Sequence, residues 1–129
     1  MPKETTEKHV LLIEDDVFIQ KAYQLKFGKN GIQTKVLNDG KAALEYIENA
    51  SSEKPNAVML DLMLPFVSGF EILEKIRITK GWETIPVIIL SNLSQESDIE
   101  KAKKLGAKEF LVKADVKIDD VIKKVKEYL

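Results

Sequence analysis

The 129-residue chain has no cysteine, one histidine and one tryptophan. Without thiols there is no disulfide framework, no thiolate metal site and no cysteine nucleophile, which agrees with a reducing compartment. An excess of one charge is missing too. Twenty basic residues face 21 acidic ones, for a net charge of -1, so there is no electrostatic footprint for nucleic acid. The apolar runs are far too short to span a bilayer, and the start Met1-Pro2-Lys3-Glu4-Thr5-Thr6-Glu7-Lys8 lacks an apolar signal core, so a cytoplasmic protein is expected. The first strand-to-helix turn, Glu14-Asp15-Asp16-Val17, has no glycine-rich phosphate loop, which argues against nucleotide binding. Internal repeats and low-complexity segments are absent, and the length leaves room for a single domain.

What the chain does contain is a set of short apolar runs alternating with helical patterns. A polar arm over residues 1 to 8 is expected to be flexible, with the folded domain over 9 to 129. Val10-Leu11-Leu12-Ile13 is an unbroken apolar run, as in a strand covered on both faces. Residues 32 to 37 alternate in the strand manner, and further strands are expected in the apolar run from Asn56, with Asp61 at its carboxyl end, at 86 to 90 and at 109 to 112. Between them, helical spacing from Phe18 onward puts Ile19, Ala22, Tyr23 and Phe27 on one face, then Ala43, Leu44 and Ile47 inward, then Ile72, Leu73 and Ile76. Residues 94 to 105 carry Ile99, Ala102 and Leu105, with Gly106 placed to end the helix, and the last helix carries Ile118, Val121, Ile122 and Val125. Strands alternating with helices in this way imply an α/β fold: a five-stranded parallel sheet with helices on both faces. The run at 32 to 37 is the most polar and belongs at an edge. That favours the doubly wound, flavodoxin-like order 2-1-3-4-5, with its switch point between the first and third strands.

Polar residues then gather at the carboxyl ends of the strands, where ligands sit in such sheets. Glu14 and Asp15 follow the first strand, Asp61 the third, Ser91 the fourth and Lys113 the fifth. Each has an ordinary structural explanation alone, since acids favour helix starts, serine favours caps and lysine is common at sheet edges. Together they form one cluster. Three carboxylates in one place resist ionisation unless a cation shares the site, and magnesium suits an all-oxygen donor set completed by a backbone carbonyl, that of Met63. With the ion and Lys113 the charges roughly cancel, so a phosphoryl group arriving at Asp61 would meet a cation, an ammonium and a hydroxyl.

The same residues resemble the receiver domain of two-component response regulators, of the chemotaxis-type single-domain kind. The matching pieces are Leu11-Leu12-Ile13-Glu14-Asp15-Asp16, then Leu60-Asp61-Leu62-Met63-Leu64-Pro65 with Gly69 eight residues past the aspartate, then Ile88-Ile89-Leu90-Ser91 and Phe110-Leu111-Val112-Lys113. Each piece is weak alone; their order and spacing are specific. The resemblance implies that Asp61 accepts phosphate from a histidine kinase or phosphotransfer protein, with Mg2+ held by Glu14, Asp15, Asp61 and the Met63 carbonyl. It implies that Ser91 is a switch hydroxyl, that Lys113 pairs with the phosphoryl group and that Phe110 is an aromatic that moves with the switch. Phe110 reads equally well as a plain core aromatic. A downstream protein is expected to bind through the last two helices, with signalling rather than enzymatic function beyond self-phosphorylation and self-dephosphorylation.

Two positions depart from the family pattern. Ala114 follows Lys113 where proline is common, so the intervening peptide bond is either trans or a strained cis form. Asn92 follows Ser91 where a small residue is usual, and its amide either narrows access or bonds the phosphoryl group. Met63 and Leu93 flank the site with apolar side chains that cannot position a water, from which a long-lived phosphoryl state is expected. The other readings are a pseudo-receiver used only for binding and an aspartate-nucleophile phosphatase. The latter lacks the second aspartate two residues after Asp61 and a cap insertion. His9 is expected on the surface, Trp82 partly buried in a loop, and the lysines at 101 to 104 and 123 to 126 on solvated helix faces.

Overall fold

A computed structural model describes residues 7–129. The elements run β1 (Lys8–Ile13), α1 (Val17–Lys29), β2 (Ile32–Leu37), α2 (Gly40–Glu48), β3 (Ala57–Leu60), α3 (Gly69–Ile78), β4 (Val87–Ser91), α4 (Glu96–Lys104), β5 (Glu109–Val112) and α5 (Ile118–Lys126), with a 3-10 turn at Lys113–Asp115. All neighbouring strands are parallel, in the order β2-β1-β3-β4-β5. The expected topology is therefore the observed one, with β2 on an edge as its polarity required. Most of the arm expected over residues 1 to 8 lies outside the described residues, while Lys8 already pairs with Ile32 as the first residue of β1.

Because successive strand residues point to opposite faces, the sheet sorts its apolar side chains into two cores. Leu11, Ile13, Val58, Leu60, Val87 and Ile89 pack on one face against Ala43, Ile47, Ile72, Leu73 and Ile76 of α2 and α3. Val10, Leu12, Ala57, Met59, Ile88 and Leu90 pack on the other against Tyr23 and Phe27 of α1 and Val121, Ile122 and Val125 of α5. Among the described residues no helix is long and apolar enough to cross a membrane.

Four details correct the sequence reading. Trp82 is 2% exposed, not half-buried, and packs edge-on against Tyr46. His9 lies in β1 with its ring largely covered and Nδ1 3.4 Å from Glu53 Oε1. Gln20, not read as an inward residue, is buried with Tyr23 and Phe27 in α1, whose start is capped by Asp16 accepting from the Phe18 and Ile19 backbone N–H groups, while Phe18 itself faces solvent at 86% exposure. The α4 helix starts at Glu96, two residues later than the periodicity suggested, and has no side-chain cap bond.

Arg77, on α3, has its guanidinium bonded to four backbone carbonyls rather than to a carboxylate: Leu105 and Gly106 after α4, and Glu83 and Ile85 before β4. It ties the carboxyl end of α4 to the body of the domain. Gly106 completes the junction with φ +91, and a β-carbon there would meet Arg77 Nε at 2.6 Å.

Candidate functional site

The register of the sheet brings the strand ends together. Asp61 follows β3 directly, and its backbone N–H donates to the Ile13 carbonyl at 3.1 Å, which sets it beside Glu14. Its carboxylate is 4% exposed and fully engaged. Oδ1 accepts from Ser91 Oγ at 2.8 Å and from the Met63 N–H at 2.9 Å, while Oδ2 accepts from Lys113 Nζ at 2.7 Å. Lys113 Nζ also lies 2.7 Å from Glu14 Oε1, bridging the two acids. Glu14, Asp15 and Asp61 each place a carboxylate oxygen within 4.8 Å of the others, two of them buried and Asp15 exposed. All five residues expected at this edge are therefore in one cluster.

Burial sets the electrostatics. It pushes the Glu14 carboxyl above its ordinary range, against the opposing pull of Lys113 and the Asp16 N–H, and the Asp61 charge adds to the rise. Burial alone pushes Lys113 down, but its bonds to Asp61 and Glu14 outweigh that and hold its pKa above the usual value. One ammonium thus bridges two of the three carboxylates, and Asp15 stands beside them without it. The donor set is all oxygen and short of positive charge, which fits a hard divalent cation.

Around this cluster, Phe110 is half-buried on β5 and packs on the α2/α3 core, and Leu93 is half-buried with its N–H 3.4 Å from Ser91 Oγ. Asn92 and Ala114 are exposed, and the Lys113–Ala114 bond is trans. The Met63 side chain is 55% exposed.

Several supporting residues escaped the sequence reading. Gln20 is 8% exposed, and its Nε2 donates to the Glu14 carbonyl at 2.6 Å and to Asn38 Oδ1 at 2.8 Å, which fastens the β1 end to the β2 end. Its signal was the spacing Gln20, Tyr23, Phe27 counted from the Asp16 cap. The loop after Asp61 is held by two glycines: a β-carbon on Gly69 would lie 2.3 Å from the Asp61 carbonyl oxygen, and one on Gly40 would lie 2.4 Å from that of Val67. Between them Phe66 has φ 71, and the Val67 N–H donates to the Pro65 carbonyl at 2.8 Å, so Phe66 is the centre of a left-handed γ-turn. A non-glycine residue in such a conformation costs about 1–3 kcal/mol and persists only where its surroundings impose it.

The model of the response regulator receiver domain family matches residues 10–126. The chain belongs to that family. As a receiver it is similar to the two-component response regulator ARR7 of Arabidopsis thaliana, at 29% identity over 97% of this chain and 64% of the relative, so it spans about two-thirds of that protein's length. Among solved structures it is similar to the Francisella response regulator 1452 receiver domain, at 33% identity and TM-score 0.82, covering 95% of this chain and 96% of the other. The receiver domain of the sensor histidine kinase PA1611 from Pseudomonas aeruginosa shares the fold at TM-score 0.81 and 21% identity, covering 95% and 98%. That protein holds a magnesium ion in its active-site cleft.

Proposed function

We propose that this receiver accepts a phosphoryl group on Asp61 from a histidine kinase or phosphotransfer protein of a two-component or phosphorelay system. The observation that carries the reading is the cluster itself: a buried carboxylate bonded at once to a serine hydroxyl and a lysine ammonium, with two further acids alongside. Glu14, Asp15, Asp61 and the Met63 carbonyl would hold magnesium. When bound, the ion would supply positive charge to the acids and to the phosphoryl oxygens. A carboxylate oxygen of Asp61 attacks phosphorus, the bond from phosphorus to the donor's imidazole nitrogen breaks with its electron pair staying on nitrogen, and an acyl phosphate forms. The Lys113 ammonium pairs with the new charge, and the Ser91 hydroxyl turns from Asp61 Oδ1 to a phosphoryl oxygen. Phe110, on the strand paired with the one that ends in Ser91, is the aromatic that follows.

This change biases the segments that carry Ser91 and Lys113, namely the connections into α4 and α5, and exposed residues of those two helices bind the downstream protein. The chain signals and has no substrate beyond its own phosphoryl group. The reading places it in the cytoplasm and gives it no nucleic-acid contact of its own.

The test is incubation with acetyl phosphate and magnesium, followed by intact mass. Wild type gains one phosphate and Asp61→Asn gains none. Absence of any adduct on the wild type would leave a binding module without phosphotransfer. With Met63 and Leu93 unable to position water, the adduct outlasts minutes; decay within seconds would contradict that part.

A further inference from the structure

The loop after Asp61 spends strain on showing a ring to water. Phe66 sits at the centre of the left-handed γ-turn, yet its side chain is 85% exposed. Nothing in the folded chain repays the conformation through that side chain. The backbone imposes it: the Pro65 carbonyl accepts from both the Val67 and Gly40 N–H groups, and Gly40 and Gly69 admit the loop only because they lack side chains. Six large apolar side chains are exposed among the described residues, and four of them, Val17, Phe18, Met63 and Phe66, lie on the segments that follow β1 and β3. Those are the segments that bracket Asp61.

Resting on the receiver reading, we propose that Phe66 is the anchor by which this receiver selects its protein phosphodonor, inserting into an apolar surface beside the donor's phosphorylated histidine. Asp61 is 4% exposed, so a macromolecule that delivers a phosphoryl group to it must press on this rim. A small phosphodonor need not. A second copy of the chain is a poor occupant, because facing rims would bring two clusters of Glu14, Asp15 and Asp61 together with one lysine each. The same repulsion excludes an acidic surface. The fitting donor is apolar around its histidine, with no carboxylate facing the site. An exposed aromatic already held by the backbone loses little freedom on docking, which is the property of an interface hot spot.

Two variants separate the ring from the strain. Phe66→Ala removes the ring and leaves a β-carbon in the turn; Phe66→Gly removes both. Acetyl phosphate with magnesium is expected to label both at the wild-type rate. The protein probe is whichever histidine-phosphorylated phosphotransfer domain of a purified panel transfers fastest to wild type. With it, KM is expected to rise about tenfold for both variants, with kcat little changed. Phe66→Gly is expected to melt roughly 2 °C above wild type, and Phe66→Ala to melt with it. Equal transfer to wild type and Phe66→Ala overturns the proposal, as does a panel in which no donor serves a wild type that acetyl phosphate labels. A Phe66→Gly protein that melts well below wild type overturns it by making the ring structural. A wild-type dimer that Phe66→Ala dissociates reassigns the rim to self-association. If acetyl phosphate fails to label the wild type, the receiver reading itself falls.

Discussion

At the carboxyl edge of the sheet Glu14, Gln20, Asp61 and Ser91 are buried polar side chains, whereas between its edges β3 and β4 bury Val, Leu, Ile, Met and Ala without a polar group until Ser91. The interior is held by shape and by removal of apolar area from water, so it tolerates other apolar side chains of similar volume. The edge is held by directed bonds, some from backbone N–H groups of the same turn and some from side chains at neighbouring strand ends. Asp61 receives from Met63, Ser91 and Lys113, and Glu14 from Asp16 and Lys113. Burying like charges opposes folding, and the domain carries that cost at one edge only. The stable middle of the sheet is what lets the polar edge be unfavourable.

The comparison breaks most visibly in the interior. Ile89 is 0% exposed between Leu60 and Phe110, and Ile89→Ala is expected to cost about 2–5 kcal/mol in urea unfolding while leaving acetyl-phosphate labelling of the folded fraction unchanged. Gly69→Ala joins the two regions. Its β-carbon would drive into the Asp61 carbonyl oxygen, so a loss of about 1–3 kcal/mol accompanied by slowed labelling is expected. A variant that loses stability and labels normally would show that the loop can shift without disturbing Asp61.

Arg77 tests a junction remote from both regions. Arg77→Met keeps the packed stem but strips donors from four carbonyls, and about 1–2 kcal/mol of stability should go, with faster amide exchange at the carboxyl end of α4. Uniform loss of protection across the domain would instead mean that Arg77 does not act locally.

The smallest effect has the opposite sign. The folded state raises the pKa of Glu14 above its ordinary value of 4.5, so it binds that proton more tightly than the unfolded chain does. Stability from this group is complete below the ordinary value and is lost as pH rises through the folded one. Glu14→Gln should therefore melt slightly above wild type at pH 7 with chelator present, and its melting temperature should climb less on acidification. Magnesium, which binds the ionised acids, should raise the wild-type melting temperature and hardly move the variant's. Identical magnesium shifts in both would remove Glu14 from the metal site.

Element order, the edge position of β2 and the clustering of five polar residues were legible because they follow from local periodicity and from which residue ends each strand. The phase of α1 was harder to read. Apolar spacing found Ile19, Tyr23 and Phe27, which do pack on the core, but not the polar Gln20, which takes an inward place beside Glu14 in a helix capped by Asp16. Trp82 looked like a loop residue half in water; the hydrophobic side of α2 closes over it through Tyr46. In both cases the deciding neighbour is distant in sequence or depends on a side-chain bond that composition does not reveal.

By itself, then, the order of residues determined a doubly wound sheet with Asp61 at its centre and acids, a hydroxyl and a lysine at the neighbouring strand ends, because a strand's length and its terminal residue are local properties. Only the tertiary structure decided that Lys113 bridges Asp61 and Glu14 across the sheet, that the Lys113–Ala114 bond is trans, and that Phe66 is held in a strained turn facing solvent. Those outcomes depend on contacts such as Gly40 against Val67, where the absence of one side chain permits the conformation of a loop more than twenty residues away.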